Sequence, residues 1–410
     1  MSDPYFQSLF ADRIGGAEYG KGTEIYKFEK IKRAKRKAVA EYPDRELLDF
    51  GIGENDSLAP ESVRAQMAKE INQPENRGYA DNGIDAFKEA AARFMQRNFQ
   101  VELDPTTEVN HCIGSKTALA MLPACFINPG DTTLMTAPGY PVAGTHARYY
   151  GGTVYKLPLL SENDFLPDLN AVPQDVLART KLLVLNYPNS PTGKVATREF
   201  YEQVIDAALR HKFVVVQDAA HILLSFAGEP LSFLSVPGAK DVGVEVHSLS
   251  KGFDMIGWRI GWVCGNSRIV QAFSDVKDNN DSGQFIAIQQ AAVSALDDDS
   301  IHQNVSAKYR RRLEKLVATL GRCDFRCSMP GGTYFLYVRA PQGVEDGRSF
   351  ENAEAASQFL ITEQSIVTVP WDDAGPFIRF SVTYEADDEA AEDALMKETE
   401  RRLKQIRLKF

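Results

Sequence analysis

Ser248-Leu249-Ser250-Lys251 closes the apolar run 242–248, and Arg259 follows eight residues after Lys251, inside Gly257-Trp258-Arg259-Ile260-Gly261. A lysine leaving a buried strand is stripped of water, which lowers its pKa and frees the amine as a nucleophile. Two hydroxyls beside it can donate to a phosphate, and a guanidinium can bind the same dianion through parallel N–H bonds. A nucleophilic amine next to a phosphate clamp is what pyridoxal phosphate requires. The same four residues also suit a surface Ser-Lys turn after a strand, and the motif alone leaves both readings open.

Further residues extend the pattern. Asp218 follows Phe213-Val214-Val215-Val216-Gln217, at the carboxyl end of a strand, where open α/β sheets place their ligands. A carboxylate buried there can keep a pyridine nitrogen protonated; it can also simply cap a helix. Tyr187-Pro188-Asn189-Ser190-Pro191-Thr192-Gly193 ends another strand. Its prolines stiffen the loop and Asn189 can donate to a ring oxygen, although the segment also reads as a structural turn. Gly114-Ser115-Lys116-Thr117 opens a helix after a strand, which makes either an anion site or an ordinary capped helix start. Arg379 sits inside the apolar strand Phe377-Ile378-Arg379-Phe380-Ser381. A buried arginine needs an anionic partner, either a substrate carboxylate or an internal acid.

The elements that must carry these groups are legible in outline. Apolar residues recur at helical spacing over 84–98 and 115–126. Short Val- and Leu-rich runs at 133–137, 181–186, 213–217, 242–248 and 260–264 alternate with helical segments and predict a buried, mostly parallel sheet. Beyond 290, two charged helices at about 299–320 and 385–408 bracket strands at 334–338 and 377–382, which predicts a smaller α+β domain. The basic stretch Lys30–Lys37 falls on an arm helix expected to pack with that domain, its charges facing solvent.

Composition narrows the classes. The chain has 410 residues, 44% of them hydrophobic and 25% charged, as in globular enzymes. Lys+Arg 46 against Asp+Glu 56 leaves a net charge of −10, which disfavours nucleic-acid binding. Residues 1–20 hold no signal-like apolar segment and no run is long enough to span a membrane, so a cytoplasmic protein is expected. Five cysteines without C-x-x-C spacing read as reduced thiols. Gly15–Gly22 has P-loop spacing but lacks the final Ser or Thr, Gly51-Ile52-Gly53 lacks the third glycine of a dinucleotide fingerprint, and no H-x-x-x-H appears. No metal site is expected.

Taken in order, Tyr79…Gly83, Gly114-Ser115, Pro138-Gly139-Tyr140-Pro141, Pro188–Gly193, Asp218, Ser248–Lys251, Gly257-x-Arg259-x-Gly261 and Arg379 resemble the fold-type I aminotransferases, more narrowly their class I and II group. The resemblance covers essentially the whole chain. It implies an α/β fold, with a large pyridoxal-phosphate-binding domain (51–290) built on a mostly parallel sheet flanked by helices. It also implies a small α+β domain (291–410) joined by an amino-terminal arm and first segment (1–50). It further implies that Lys251 carries the cofactor and Asp218 faces the pyridine nitrogen. Asn189 bonds the ring hydroxyl oxygen and Tyr140 stacks on the ring. Ser115, Lys116, Ser248, Ser250 and Arg259 hold the phosphate, with Tyr79 reaching the neighbouring subunit of a homodimer. Arg379 clamps the substrate carboxylate beside Gly53.

The segment Gly22–Arg33 and Gly51–Asp56 is similar to that of the LL-diaminopimelate aminotransferases, in which Tyr26 matches a tyrosine that contacts substrate. That group interconverts LL-diaminopimelate and 2-oxoglutarate with tetrahydrodipicolinate and glutamate, on the route to lysine and peptidoglycan. Another class I or II aminotransferase and a C–S β-lyase are the rival readings; a cofactor-binding regulator is remote, because only a short arm precedes the fold. Two departures stand out. His221 occupies the position of the usual tyrosine, where an imidazole can donate to the ring oxygen from either nitrogen, and its ordinary pKa near neutral pH leaves its protonation open. The loop Tyr79–Gly83 is one residue shorter than in plant-type enzymes.

Overall fold

A computed structural model describes residues 4–22 and 27–410. Its centre is a sheet of seven strands: β1 Val109–Cys112, β2 Thr132–Ala137, β3 Thr153–Pro158, β4 Thr180–Asn186, β5 Val214–Asp218, β6 Gly243–Ser248 and β7 Gly261–Gly265. The spatial order is β1-β7-β6-β5-β4-β2-β3, and only β7 runs antiparallel to its neighbours. Alternate residues of the central strands bury on opposite faces. Leu183, Leu185, Val215, Trp262 and Cys264 enter one core with the helices Asp85–Phe99, Arg198–His211 and Ile286–Leu296. Leu182, Val184, Val216, Val244 and Val263 enter a second with Ser115–Phe126, Val142–Tyr149 and Ser267–Asp278. Burial on both faces is why these strands read as continuous apolar runs.

The expected strands agree with the observed ones to within a residue or so; the edge strand β3, whose pattern is mostly exposed, carries no such run. The reversed direction of β7 has a simple cause. Residues 249–260 between it and β6 form only the short turns Leu249–Gly252 and Ile256–Trp258, with no helix long enough to cross a face of the sheet. The chain therefore folds straight back, with Leu249 N donating to Ile260 O at 3.1 Å. That return sets Arg259 beside Ser250.

A second unit is built on the antiparallel strands β8 Phe335–Arg339, β9 Val369–Trp371 and β10 Phe377–Ser381, in the order β9-β10-β8. Helices Ala353–Gln364 and Glu389–Ile406 cover it. Residues before the large sheet belong to this unit: helix Lys27–Glu41 buries Ile31 and Ala34 against Ile361 and Val369, and Leu48–Asp49 pairs in parallel with Ile366–Val367. The basic side chains of the stretch Lys30–Lys37 are exposed or paired with acids, as with Lys35 and Asp49 at 2.5 Å. The long helix Asp299–Gly321 joins the two units, with Ile301 in the large core and Tyr309, Leu313 and Leu316 in the small one. All five cysteines are free thiols. Among the described residues no helix is long and apolar enough to cross a membrane, and no cluster of three metal-ligating side chains occurs.

Candidate active site

The carboxyl ends of β4, β5 and β6 form the floor. Asp218, the last residue of β5, is 5% exposed, and its Oδ1 accepts from Ala220 N at 3.1 Å. No helix starts there, so Asp218 is not a helix cap. Burial raises its carboxyl to about 6, against the opposing pull of the Ala220 N–H and the Lys251 ammonium. Asn186 at the end of β4 donates to Asp218 O at 3.1 Å and accepts from Ser190 N at 2.9 Å, tying the next loop to this floor. In that loop Asn189 is fully buried, and its Oδ1 accepts from Thr192 N at 3.2 Å and Thr192 Oγ1 at 2.8 Å. The amide is thereby oriented, and its NH2 faces inward with no partner.

At the end of β6, Ser248 Oγ accepts from Ser250 N at 3.1 Å and starts the short helix Leu249–Gly252 that presents Lys251. Lys251 Nζ donates to Gly53 O at 3.0 Å, and Tyr334 Oη donates to the same carbonyl at 2.7 Å. Asn55 holds the backbone of Lys251 through its carbonyl at 2.9 Å. Burial lowers the Lys251 ammonium to about 8; Glu54 opposes this, and the nearby Arg259 and Arg379 reinforce it. Arg259 Nη1 donates to Ser250 Oγ at 3.2 Å and to Ile256 O at 2.6 Å. Its guanidinium lies over Gly114, which has φ 72° and where a Cβ would sit 2.4 Å from Arg259 Nη2. Glycine is required there, and the start of the helix Ser115–Phe126 meets Arg259, which in turn holds Ser250. Backbone N–H groups, hydroxyls and a guanidinium converging in this way make a phosphate cradle. Ser115 is half-buried and Lys116 is exposed.

Arg379 closes the opposite side from β10. It is 6% exposed, donates to Gly51 O at 3.1 Å through Nη2, and packs 4.0 Å above the Phe335 ring. Among the described residues no carboxylate forms an ion pair with it, so the internal acid that its sequence position allowed is not found there, and its Nε has no partner. Burial lowers this guanidinium to about 10. Gly53 lies alongside: a Cβ on it would meet the Phe335 ring at 3.4 Å and Arg379 Nη2 at 3.9 Å.

His221 lies buried on the same side as Lys251 and Tyr334. Burial, followed by the positive charges of Lys251 and Arg379, lowers its imidazole to about 3. It therefore stays neutral near pH 7 rather than switching there. Its Nδ1 has no partner, like Asn189 Nδ2 and Arg379 Nε. Unsatisfied buried polar atoms on these three residues fit a polar ligand. Tyr79 and Tyr140 are 85% and 41% exposed in the single chain. Tyr26 lies outside the described residues. Two residues escaped the reading of the sequence, Tyr334 and Phe335, which shape the space beside Lys251, His221 and Arg379. The pair Gly331-Gly332 just ahead of these aromatics, at the mouth of a strand, was the available signal.

Residues 45–395 match the family model for aminotransferase class I and II. Among curated relatives, the LL-diaminopimelate aminotransferases of Methanococcus maripaludis and Methanocaldococcus jannaschii are each 51% identical, over all of both chains. That of Oleidesulfovibrio alaskensis is 37% identical, over 91% of this chain and 95% of its own. Among solved structures, substrate-bound BacF from Bacillus subtilis aligns with a TM-score of 0.85 at 30% identity, covering 95% of this chain and 97% of that one. An aspartate aminotransferase mutant from Thermus thermophilus aligns with a TM-score of 0.82 at 25% identity, covering 96% and 99%.

Proposed function

The chain belongs to the class I and II aminotransferases, and we propose that within them it interconverts LL-2,6-diaminopimelate and 2-oxoglutarate with tetrahydrodipicolinate and glutamate. The observation that carries this is 51% identity along the full chain to relatives that bear that activity in their names. The cofactor of the family is pyridoxal 5′-phosphate. The cradle at Gly114 and the unpartnered Asn189, His221 and Arg379 atoms suit its phosphate, its ring oxygen and a substrate carboxylate.

Bound at this site, the pyridine ring supplies the electron sink that moving an amino group demands. Lys251, its pKa lowered to about 8, is neutral in about a tenth of molecules at pH 7, far more than an ordinary lysine. It would hold the cofactor through its aldehyde carbon, and as a free amine it would accept the proton that leaves the substrate Cα and return it. Asp218 holds a proton on the ring nitrogen by charge. Asn189 donates its free NH2 to the ring oxygen, and His221 lies close by as a neutral group. Ser115, Lys116, Ser248, Ser250 and Arg259 bind the phosphate. Tyr140 stacks on the ring. Arg379 orients the α-carboxylate with Gly53, and Tyr26 contacts the substrate. Tyr79 is 85% exposed and completes the phosphate site of a second copy, which makes the working unit a homodimer with shared sites.

LL-diaminopimelate carries an amine and a carboxylate at both ends. A pocket built to bond the distal pair rejects analogues that lack it or invert it, because its own polar groups are left unpaired. Purified holoenzyme with 2-oxoglutarate should therefore prefer LL-diaminopimelate strongly over the meso isomer and over lysine. Equal or better activity with aspartate or an aromatic amino acid would overturn the substrate assignment and leave the aminotransferase assignment standing. Release of pyruvate and ammonia from a sulfur-containing donor would favour the β-lyase.

A further inference from the structure

Arg259 is a non-glycine residue in the left-handed region, φ 55° and ψ 56°, directly after the turn Ile256–Trp258. L side chains adopt that conformation only where surrounding contacts hold it. Gln284 spans it from the loop ahead of helix Ile286–Leu296. Its Nε2 donates to Trp258 O at 2.9 Å and to Arg259 O at 2.8 Å. Those carbonyls belong to the two peptide planes that flank residue 259, so a single NH2 group constrains both φ and ψ.

The amide has one orientation. Carbonyls need donors, so the NH2 faces them, and Oε1 accepts from His111 Nε2 at 2.9 Å. His111 is fully buried, and with its proton on Nε2 the unpartnered Nδ1 is the bare acceptor nitrogen of a neutral imidazole. The chain of bonds continues outward. Gln284 O accepts from Gln289 Nε2 at 2.8 Å, and Gln289 Oε1 accepts from Ile84 N at 2.9 Å. Ile84 follows Gly83, where a Cβ would lie 2.4 Å from His111 Cβ. The segment carrying Tyr79 and the arginine of the cradle are thus joined through two glutamines.

We propose that Gln284 is the positioning residue of the phosphate cradle: it holds Arg259 in the backbone conformation that lays its guanidinium over Gly114 and against Ser250. This rests on Arg259 binding the cofactor phosphate. The test measures binding to apoprotein, comparing pyridoxal phosphate with pyridoxal, which has the same ring and aldehyde without the phosphate. Gln284→Met keeps length and removes the donors; Gln284→Glu keeps shape and turns an oxygen toward the two carbonyls. A cooperative melt of each apoprotein shows that it is folded, and the Met variant decides if the Glu variant is not. Losing two hydrogen bonds to the arginine's own peptide planes should weaken pyridoxal phosphate roughly tenfold or more and pyridoxal less than about threefold. In an Arg259→Ala background, Gln284→Met should add less than about twofold, because its effect runs through the arginine. Equal weakening of both ligands, or a full additional loss on Arg259→Ala, overturns the proposal. If Arg259→Ala leaves the ratio of the two affinities unchanged, the phosphate assignment itself falls and takes the proposal with it.

Discussion

Arg312 and Arg379 are both buried arginines, 1% and 6% exposed, in very different company. Arg312 meets Glu392 Oε1 at 2.7 Å and Asp56 Oδ2 at 3.0 Å, and donates to the carbonyls of Val382 and Tyr384 at 3.1 and 2.9 Å. Lys308 and Tyr309 complete the shell around Asp56 at 2.6 and 3.2 Å. Arg379 donates to Gly51 O and leaves Nε without a partner. The acids follow suit. Burial would raise Glu392, but bonds from Arg311, Arg312 and Lys315 outweigh it and bring the carboxyl to about 2. At Asp218 burial prevails and the carboxyl rises to about 6. One cluster satisfies its own charges and ties the Gly51–Asp56 loop and the long helix to the carboxyl-terminal helix. The other holds an acid, an amine and a guanidinium in a dry space without neutralising them, which costs folding free energy and is stable with a ligand present. Burial alone therefore does not mark a functional charge; burial without a protein counterion does.

The largest effects should come from the open cluster. Lys251→Ala should abolish the cofactor's covalent attachment, read as loss of a borohydride-trappable adduct; a trappable adduct in this variant would point to another lysine. Asp218→Asn keeps the volume and removes the charge. Turnover should fall on the order of three powers of ten, about 4 kcal/mol of barrier, and near wild-type single-turnover rates would refute the role. The same variant sharpens the contrast through stability. The raised carboxyl of Asp218 favours the folded apoprotein below its ordinary value of 3.8, and that advantage is lost as pH rises through about 6. Asp218→Asn apoprotein should then be no less stable than wild type at pH 7.

Arg379→Lys keeps charge and loses the planar fork. Both amino donors should lose kcat/KM by roughly 2–4 kcal/mol; a loss confined to one donor would mean that Arg379 reads a distal group. The closed cluster should respond in the opposite sense. Glu392→Gln leaves Arg312 with Asp56 alone and should cost about 2–3 kcal/mol of stability by denaturant unfolding, with kcat of the folded enzyme little changed. The depressed carboxyl of Glu392 supplies stability that is present above its ordinary 4.5 and lost as pH falls toward 2. The Glu392 variant should therefore lose its pH dependence between about 4.5 and 2, and the Asp218 variant its dependence between about 6 and 3.8.

The two clusters also differ in how far the sequence reveals them. Lys251, Asp218 and Arg379 each interrupt or end an apolar run, and a charge in such a place is conspicuous by itself. Arg312 and Glu392 lie in charged helices, among Arg310, Arg311, Glu389 and Asp393, where one buried residue looks like its exposed neighbours. Their pairing across 80 residues depends on how two helices pack, which periodicity does not specify. The sheet was legible because strands buried on both faces write continuous Val and Leu runs. The direction of β7 was not legible, because the span from Ser248 to Gly261 is long enough for either a return or a crossover. Tyr334 and Phe335 read as ordinary core aromatics, and their place beside Lys251 and Arg379 comes from β8 meeting the Gly51–Asp56 loop, some 280 residues away in the chain.

The smallest effect is expected at His221, and it tests whether the open cluster is electrostatically as dry as its geometry implies. In water an imidazole changes charge near 6.5. Here burial and two facing cations, Lys251 and Arg379, hold it at about 3, so it is neutral throughout the working range. A neutral ring next to Tyr334 and Phe335, at centroid distances of 5.3 and 5.8 Å, contributes shape and offers one neutral hydrogen bond to a bound ring, not a titrating charge. Replacing it with asparagine should lower kcat/KM by less than about tenfold, the worth of roughly one neutral hydrogen bond. The pH profile between 5.5 and 8 should keep its form, because no proton on His221 is gained or lost there. If wild type shows a break near 6.5 that disappears in His221→Asn, the imidazole is titrating, the site admits water, and the separation between a closed charged cluster and a dry open one no longer holds at this residue.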